Sequence, residues 1–251
     1  MRKFINSRWF IISILCLGTL IVYGSLSLKS KQNRDNKATN RVATEIQATT
    51  EDIENHQIYG TFKSEASWAT DPTEPKNLLE ITENNAILKV KVKSIGEALF
   101  LESTEDFNDP NPYTPIEVIV KNSLYGEKLD KINTIYLKGG HIKIYDLMKK
   151  LDQDTIEKMG IDTLSEEDQK TMYVSYETDY DYSLKPNEEY VLIVAKNPNN
   201  IYTVVANGYG IFKEEKPSTN LKAATPKIQI KNVLTDKNLT DSKGKELSIK
   251  K

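Results

Sequence analysis

Tyr190-Val191-Leu192-Ile193-Val194-Ala195 carries no charged side chain, and apolar and polar residues do not alternate along it. As a strand it has no wet face. It must be covered on both sides, by a barrel interior on one and by a helix or loop on the other. Downstream, Asn197-Pro198-Asn199-Asn200 supplies a turn, Ile201 to Val205 returns, and Gly210-Ile211-Phe212 reads as a short last strand. Upstream, Ile87, Leu88, Val90, Val92 and Ile95 alternate with Lys89, Lys91 and Lys93. This period of two marks one buried face and one wet face. Gly96 permits a bend before Ala98-Leu99-Phe100-Leu101, and residues 102–112 read as an acidic, proline-bearing exposed loop. Ile116 to Val120 is the second strand, closed by a turn at Leu124-Tyr125-Gly126. Thr134 to Lys138 is the third, ended by Gly139-Gly140. Val90, Val92, Val118 and Val120 are expected to face one shared interior with the 190–195 run.

Between the third and fourth main strands lies an insertion. Apolar residues at 144, 147, 148, 151, 156 and 159 suit one or two amphipathic helices. Ser165, with Asp168 three residues on, reads as a helix start. Met172 to Tyr176 reads as an edge strand. Asn77 to Glu83 reads as a short helix ahead of the first strand. The fold class is therefore mainly β with added helices: a small antiparallel OB-like barrel over residues 59–215, with a helical insertion near 144–170. Residues 216–251 read as a polar tail, to which Lys227 to Leu234 adds a strand while the last fifteen residues are expected to be disordered.

Trp9 to Leu28 is a charge-free stretch. As a helix rising about 1.5 Å per residue it spans ~30 Å, the thickness of a bilayer core. Arg2, Lys3 and Arg8 in the basic segment 1–8 precede it, as in an export signal. Lys29, Lys31, Arg34 and Lys37 follow it, so the positive-inside rule alone does not settle the orientation; because export signals enter N-terminus in, we expect the rest of the chain outside the cytoplasm. Three fates stand open: an uncleaved single-pass anchor in the cell membrane, secretion after cleavage near Gly24–Ser27, and lipidation of Cys16. Residues 29–58 lack the apolar surface to fold alone and read as a flexible stalk, in which His56 is expected to be solvated.

The strings ENNAILKVKVKSI (83–95), PYTPIEVIVKNSLYGE (112–127), TIYLKGG (134–140), LKPNEEYVLIVAK (184–196) and YGIFK (209–213) resemble a group of exported bacterial proteins of unassigned function. More distantly, their order is similar to the netrin-like OB barrel of tissue inhibitors of metalloproteinases. The likeness covers about residues 78–213 and implies the barrel. Tyr125-Gly126 stands where those proteins have Lys-Gly, and Asn187 where they have Gly. The inhibitors chelate a protease metal through an N-terminal cysteine. The one cysteine of this chain is Cys16, so that activity is not implied.

Composition narrows the function. Lys and Arg number 34 against 36 Asp and Glu, a net charge of −2, which argues against a nucleic-acid partner. One cysteine and two histidines leave little for a metal or thiol centre, and no nucleophile-elbow, zincin or phosphate-loop motif occurs. Ser242-x-x-Lys245 lies in the tail without partners. Asp152-x-Asp154 and Asp179-x-Asp181 lack the glycine and distal glutamate of a calcium loop and read as solvated acidic surface. Pro112-Tyr113-Thr114-Pro115 reads as a rigid strand entry in which Tyr113 covers the barrel end. We expect no catalytic residue, metal or cofactor. The expected function is a membrane-anchored or secreted binding module, with an envelope protein, peptide or glycan as ligand and Tyr113, His141, Tyr176, Tyr180 and Tyr182 as candidate interaction surface. The alternative is an extracytoplasmic enzyme or enzyme inhibitor using a pocket near His141.

Overall fold

The computed structural model describes residues 56–81, 85–129, 131–215 and 228–249, all within the compact unit Ile46–Lys251. The basic segment, the membrane run, residues 29–55 of the stalk and residues 216–227 lie outside the described residues. Among the described residues, no helix is long and apolar enough to cross a membrane.

Five strands close a barrel: β2 (Asn85–Ile95), β4 (Pro112–Gly126), β5 (Thr134–Lys138), β8 (Glu189–Lys196) and β9 (Tyr202–Val204). Around it the order is β2-β4-β5-β9-β8 and back to β2. In chain order of these five strands that is 1-2-3-5-4-1. Every contact is antiparallel except β5 with β9, where Tyr136 lies beside Thr203. The alternation read from the sequence sets the register. Ala86, Leu88, Val90 and Val92 of β2 meet Ile116 and Val118 of β4 and Tyr190, Leu192 and Val194 of β8 in one buried interior, with Val120 packed at its margin.

Two boundaries differ from expectation. β4 does not turn at Leu124-Tyr125-Gly126 but stays paired, Tyr125 with Ile87 and Gly126 with Ala86. Three irregularities along the β2–β4 ladder let two long strands coil together, so the turn moves beyond Gly126. The C-terminal region is not a bare tail. β10 (Ile211–Glu215) pairs with β8 and with β11 (Ile228–Asn232), which pairs with β12 (Ser248–Ile249). The outer face of β8, Val191 and Ile193, is buried under Leu78 and Leu79 of α1 (Pro75–Glu80), Phe212, Ile230 and Leu239. Buried Asn232 pins this layer: its Nδ2 donates to the carbonyls of Gly208, Tyr209 and Ile211, and its Oδ1 accepts from the Leu234 and Thr235 amides. The second cover of the central strand thus comes partly from the strand expected over Lys227 to Leu234, and partly from Leu239; with β12, Leu239 lies in the last fifteen residues, where order replaces the expected disorder because Leu239 is buried in the core.

A second, three-stranded sheet has the order β1 (Ile58–Ser64), β7 (Tyr173–Thr178), β6 (Gly140–Lys143). β7 was expected at an edge but is central, because β1 runs parallel to it from the very start of the 59–215 region, beginning at the last stalk residue, Ile58. The insertion holds three short helices, α2 (Ile144–Met148), α3 (Gln153–Met159) and α4 (Glu166–Thr171). Asp152 caps α3 by accepting from Thr155 N at 2.9 Å, and Gly160 ends it at φ 68°. Ser165 caps α4 through Asp168 N at 3.1 Å. Ile142, Ile144, Leu147, Ile156, Ile161 and Val174 join helices and sheet in a third buried cluster.

Candidate functional site

A cleft of about 400 Å³ opens at the end of the barrel where β2 and β5 finish and β4 begins. Its floor is barrel core: Ile95, Ile116, Leu137 and Leu184. Its far wall is the three-stranded sheet. Gly139 and Gly140 make this possible, with φ of +91° and +108°. A Cβ on Gly140 would sit 2.0 Å from Thr114 Oγ1, and one on Gly139 2.7 Å from the Tyr176 carbonyl. Only glycine lets the chain leave β5, press against β4 and β7, and start β6. Thr114 Oγ1 donates to the Gly139 carbonyl at 2.7 Å and locks the bend.

That bend presents His141 directly opposite Ser175 in the β6–β7 ladder. Opposite residues share a face, and the period of two adds Lys143, Tyr173 and Glu177 to it. Ile142 and Val174 point the other way, into the helical cluster. The result is a polar sheet face, of which His141, Ser175 and Glu177 line the cleft. Ser175 is buried and its Oγ donates to Glu177 Oε1 at 2.8 Å. Glu97, just past the Gly96 bend, accepts from Tyr173 OH at 2.6 Å and from Lys143 Nζ at 2.8 Å. His56 completes the wall. Its ring stacks on Tyr173 at 3.6 Å and 5°, and its centre lies 5.5 Å from that of His141. His56, read as solvated, is in fact half-buried: β1 folds onto β7 and carries it in.

The other predicted residues separate into two groups. Tyr176 and Tyr182 line the cleft with His141. Tyr176 packs against Phe62 at 5.0 Å, and burial raises its hydroxyl above the ordinary value. Tyr182 lies edge-on to Tyr190 at 6.3 Å. Tyr113 and Tyr180 do not line it. Tyr113 is buried and donates to Asp109 Oδ2 at 2.7 Å; burial first, then that bond, push its hydroxyl far up. Burial alone would raise Asp109, but the Asn111 amide, Tyr113 and Lys138 together hold it below the usual carboxylate value. Within Pro112-Tyr113-Thr114-Pro115, Tyr113 is thus an anchor behind the cleft, while Thr114 lines it. Tyr180 stacks on Tyr209 at 5.7 Å with Trp68 edge-on at 5.2 Å, a separate aromatic cluster.

The acidic pairs serve local structure. Asp152 is the α3 cap. Asp181 accepts from Thr178 N and Oγ1 at 2.7 and 2.6 Å and from Asn207 Nδ2 at 2.7 Å, tying the loop above the cleft to the barrel. Among the described residues no group of three or more ligating side chains is gathered for a metal ion. Sequence reasoning marks Tyr173 with Tyr176, Tyr180 and Tyr182 as a tyrosine patch but misses His56, Glu97, Ser175 and Glu177. The alternation in Tyr173-Val174-Ser175-Tyr176-Glu177 could have placed Ser175 and Glu177 on one face with Tyr173; nothing local marks His56 or Glu97. No known family, curated protein or solved structure matches this chain.

Proposed function

We propose that this chain is an extracytoplasmic binding module, held by residues 9–28 or released near Gly24–Ser27, whose barrel is of the OB type and whose cleft at the barrel end takes a peptide or glycan segment. The 1-2-3-5-4-1 order with its parallel contact supports the OB reading, as does the resemblance of residues 78–213. The observation that carries the binding reading is convergence: side chains from five separate segments (His56, Glu97, His141, Ser175 to Thr178, Tyr182) meet over an apolar floor in a cavity of ligand size. Hydroxyls, carboxylates and a tyrosine ring are groups that hold sugar hydroxyls and peptide bonds. The charge-free run behind a basic start supports the location.

An enzyme reading has one observation behind it, the facing of His141 and Ser175. Ser175 directs its proton to Glu177, a carboxylate, rather than to an imidazole, so binding is favoured.

Two experiments test the proposal. Protease added to intact host cells should remove the domain; full protection would refute the location. Purified full-length protein in detergent should bind short peptides or solubilised cell-wall glycan saturably, with Tyr176→Ala weakening binding tenfold or more. Absence of saturable binding to both probes would refute the binding reading.

A further inference from the structure

The chain has two histidines in 251 residues. They stand 85 positions apart, one before β1 and one in β6, yet the fold brings both to one cleft with ring centres 5.5 Å apart and planes tilted by 52°. Packing alone explains the stack of His56 on Tyr173. It does not explain why both imidazoles of the molecule meet on its polar wall.

We infer that His56 and His141 form a two-nitrogen site for a divalent transition-metal ion of the zinc or copper type, to which a ligand in the cleft adds the remaining donors. The inference rests on the reading of the cleft as the binding site. With metal–nitrogen bonds of about 2.0–2.1 Å and each ring centre about 1.1 Å behind its nitrogen, two imidazoles on one tetrahedral ion have centres about 5.2 Å apart. The observed separation is within a few tenths of an ångström of this.

The surroundings match the chemistry. Imidazole nitrogens select zinc and copper over the hard cations. Tyr173 clamps the His56 ring, Glu97 holds the Tyr173 hydroxyl and Lys143 holds Glu97, so the first ring is oriented before a metal arrives. His141 is fixed by the β6–β7 ladder. Glu97 is offset by Lys143 at 2.8 Å, and Lys138, the one lysine lining the cleft, by Asp109 at 3.0 Å, so Glu177 and Asp181 give the lining a field that attracts cations. Since no third protein donor is gathered among the described residues, the ion keeps open positions. A carboxylate or hydroxyl of a peptide or sugar fills them, which makes the metal the docking point of the ligand.

The test is titration of the full-length protein in detergent, stripped with a chelator, with Zn²⁺ alone. Saturable one-to-one binding is expected, together with a rise in melting temperature that chelator reverses and that Mg²⁺ does not produce. His56→Ala and His141→Ala should each weaken binding tenfold or more. Where an alanine variant melts early without metal, His56→Gln and His141→Gln serve instead. Cu²⁺ added to the wild type gives a readout that needs no variant: its electron paramagnetic resonance should show coupling to two imidazole nitrogens. No saturable Zn²⁺ binding, equal affinity in wild type and variants, or a copper signal without imidazole coupling would overturn the inference. Loss of metal binding while peptide or glycan probes still bind would sink the metal site alone and leave the binding reading standing.

Discussion

β8 and β7 are both central strands, and they use their second faces in opposite ways. β8 is buried on both sides. Tyr190, Leu192 and Val194 fill the barrel, while Val191 and Ile193 sit under α1 and the C-terminal strands. β7 packs Val174 against the helices on one side, and its other side is polar: Tyr173 and Ser175 are buried there, and Ser175 and Glu177 line the cleft. A strand with two apolar faces makes the fold stable. A strand with one polar face has a face left for chemistry. The contrast locates the stability of this molecule in the barrel and its proposed activity in the added sheet.

The largest test of the contrast is removal of the cover on β8. A chain ended after Glu215 loses Ile230 and Leu239 and exposes Val191, Ile193 and Phe212. It should cost more stability than any single core truncation and broaden or abolish cooperative melting by circular dichroism. A chain that melts with the wild type would show that the C-terminal layer is not part of the core. Next is Ile193→Ala, a fully buried truncation expected to cost ~2–5 kcal/mol in denaturant unfolding. A loss below that range would break the two-cover reading of β8.

The same burial can be read with protons. Burial raises Tyr136, on the barrel strand β5, from 10.0 to about 12. The unfolded chain then releases this proton near pH 10 while the folded chain keeps it. Stability is therefore whole below pH 10 and falls as pH rises from about 10 to 12, by up to about 3 kcal/mol. Tyr136→Phe should flatten that alkaline limb; an unchanged limb would place the effect elsewhere.

On β7, Ser175→Ala removes one hydrogen bond to an exposed carboxylate and should cost about 1 kcal/mol. A loss as large as that of Ile193→Ala would mean that the cleft wall is as structural as the barrel. The smallest effect belongs to Lys91→Ala, on the outward side of β2, expected within ~0.5 kcal/mol of wild type. A larger shift would put the β2 register in doubt.

Much of this was legible in the chain, because strand periodicity is a local signal. The alternation of Ile87 to Ile95 set which valines face inward, and the unbroken run 190–195 announced a strand with two covers. Gly139-Gly140 marked the end of the third strand, and Ser165 with Asp168 marked a helix start. The end of β4 was less legible, since a turn-like Leu-Tyr-Gly stays paired when the partner strand is long enough to hold it. In the C-terminal layer the strand over Lys227 to Leu234 was legible, but what it covers was not. Leu239 is an isolated apolar residue in a polar stretch, and what buries it is a surface built from segments far earlier in the chain, Leu78, Leu79, Val191 and Ile193 among them.

The sequence by itself determined the barrel strands, their inward faces and the glycine bend that aims His141. Each depends on the chemistry of neighbours within a few residues. Only the tertiary structure decided that β1 lies on β7, that His56 thereby stacks on Tyr173 and comes within 5.5 Å of His141, and that Glu97 reaches across to hold that tyrosine. These contacts join segments 76 to 117 residues apart. No local preference encodes such a pairing; it appears when the apolar faces of barrel, sheet and helices have found their covers and the polar faces left over are brought together.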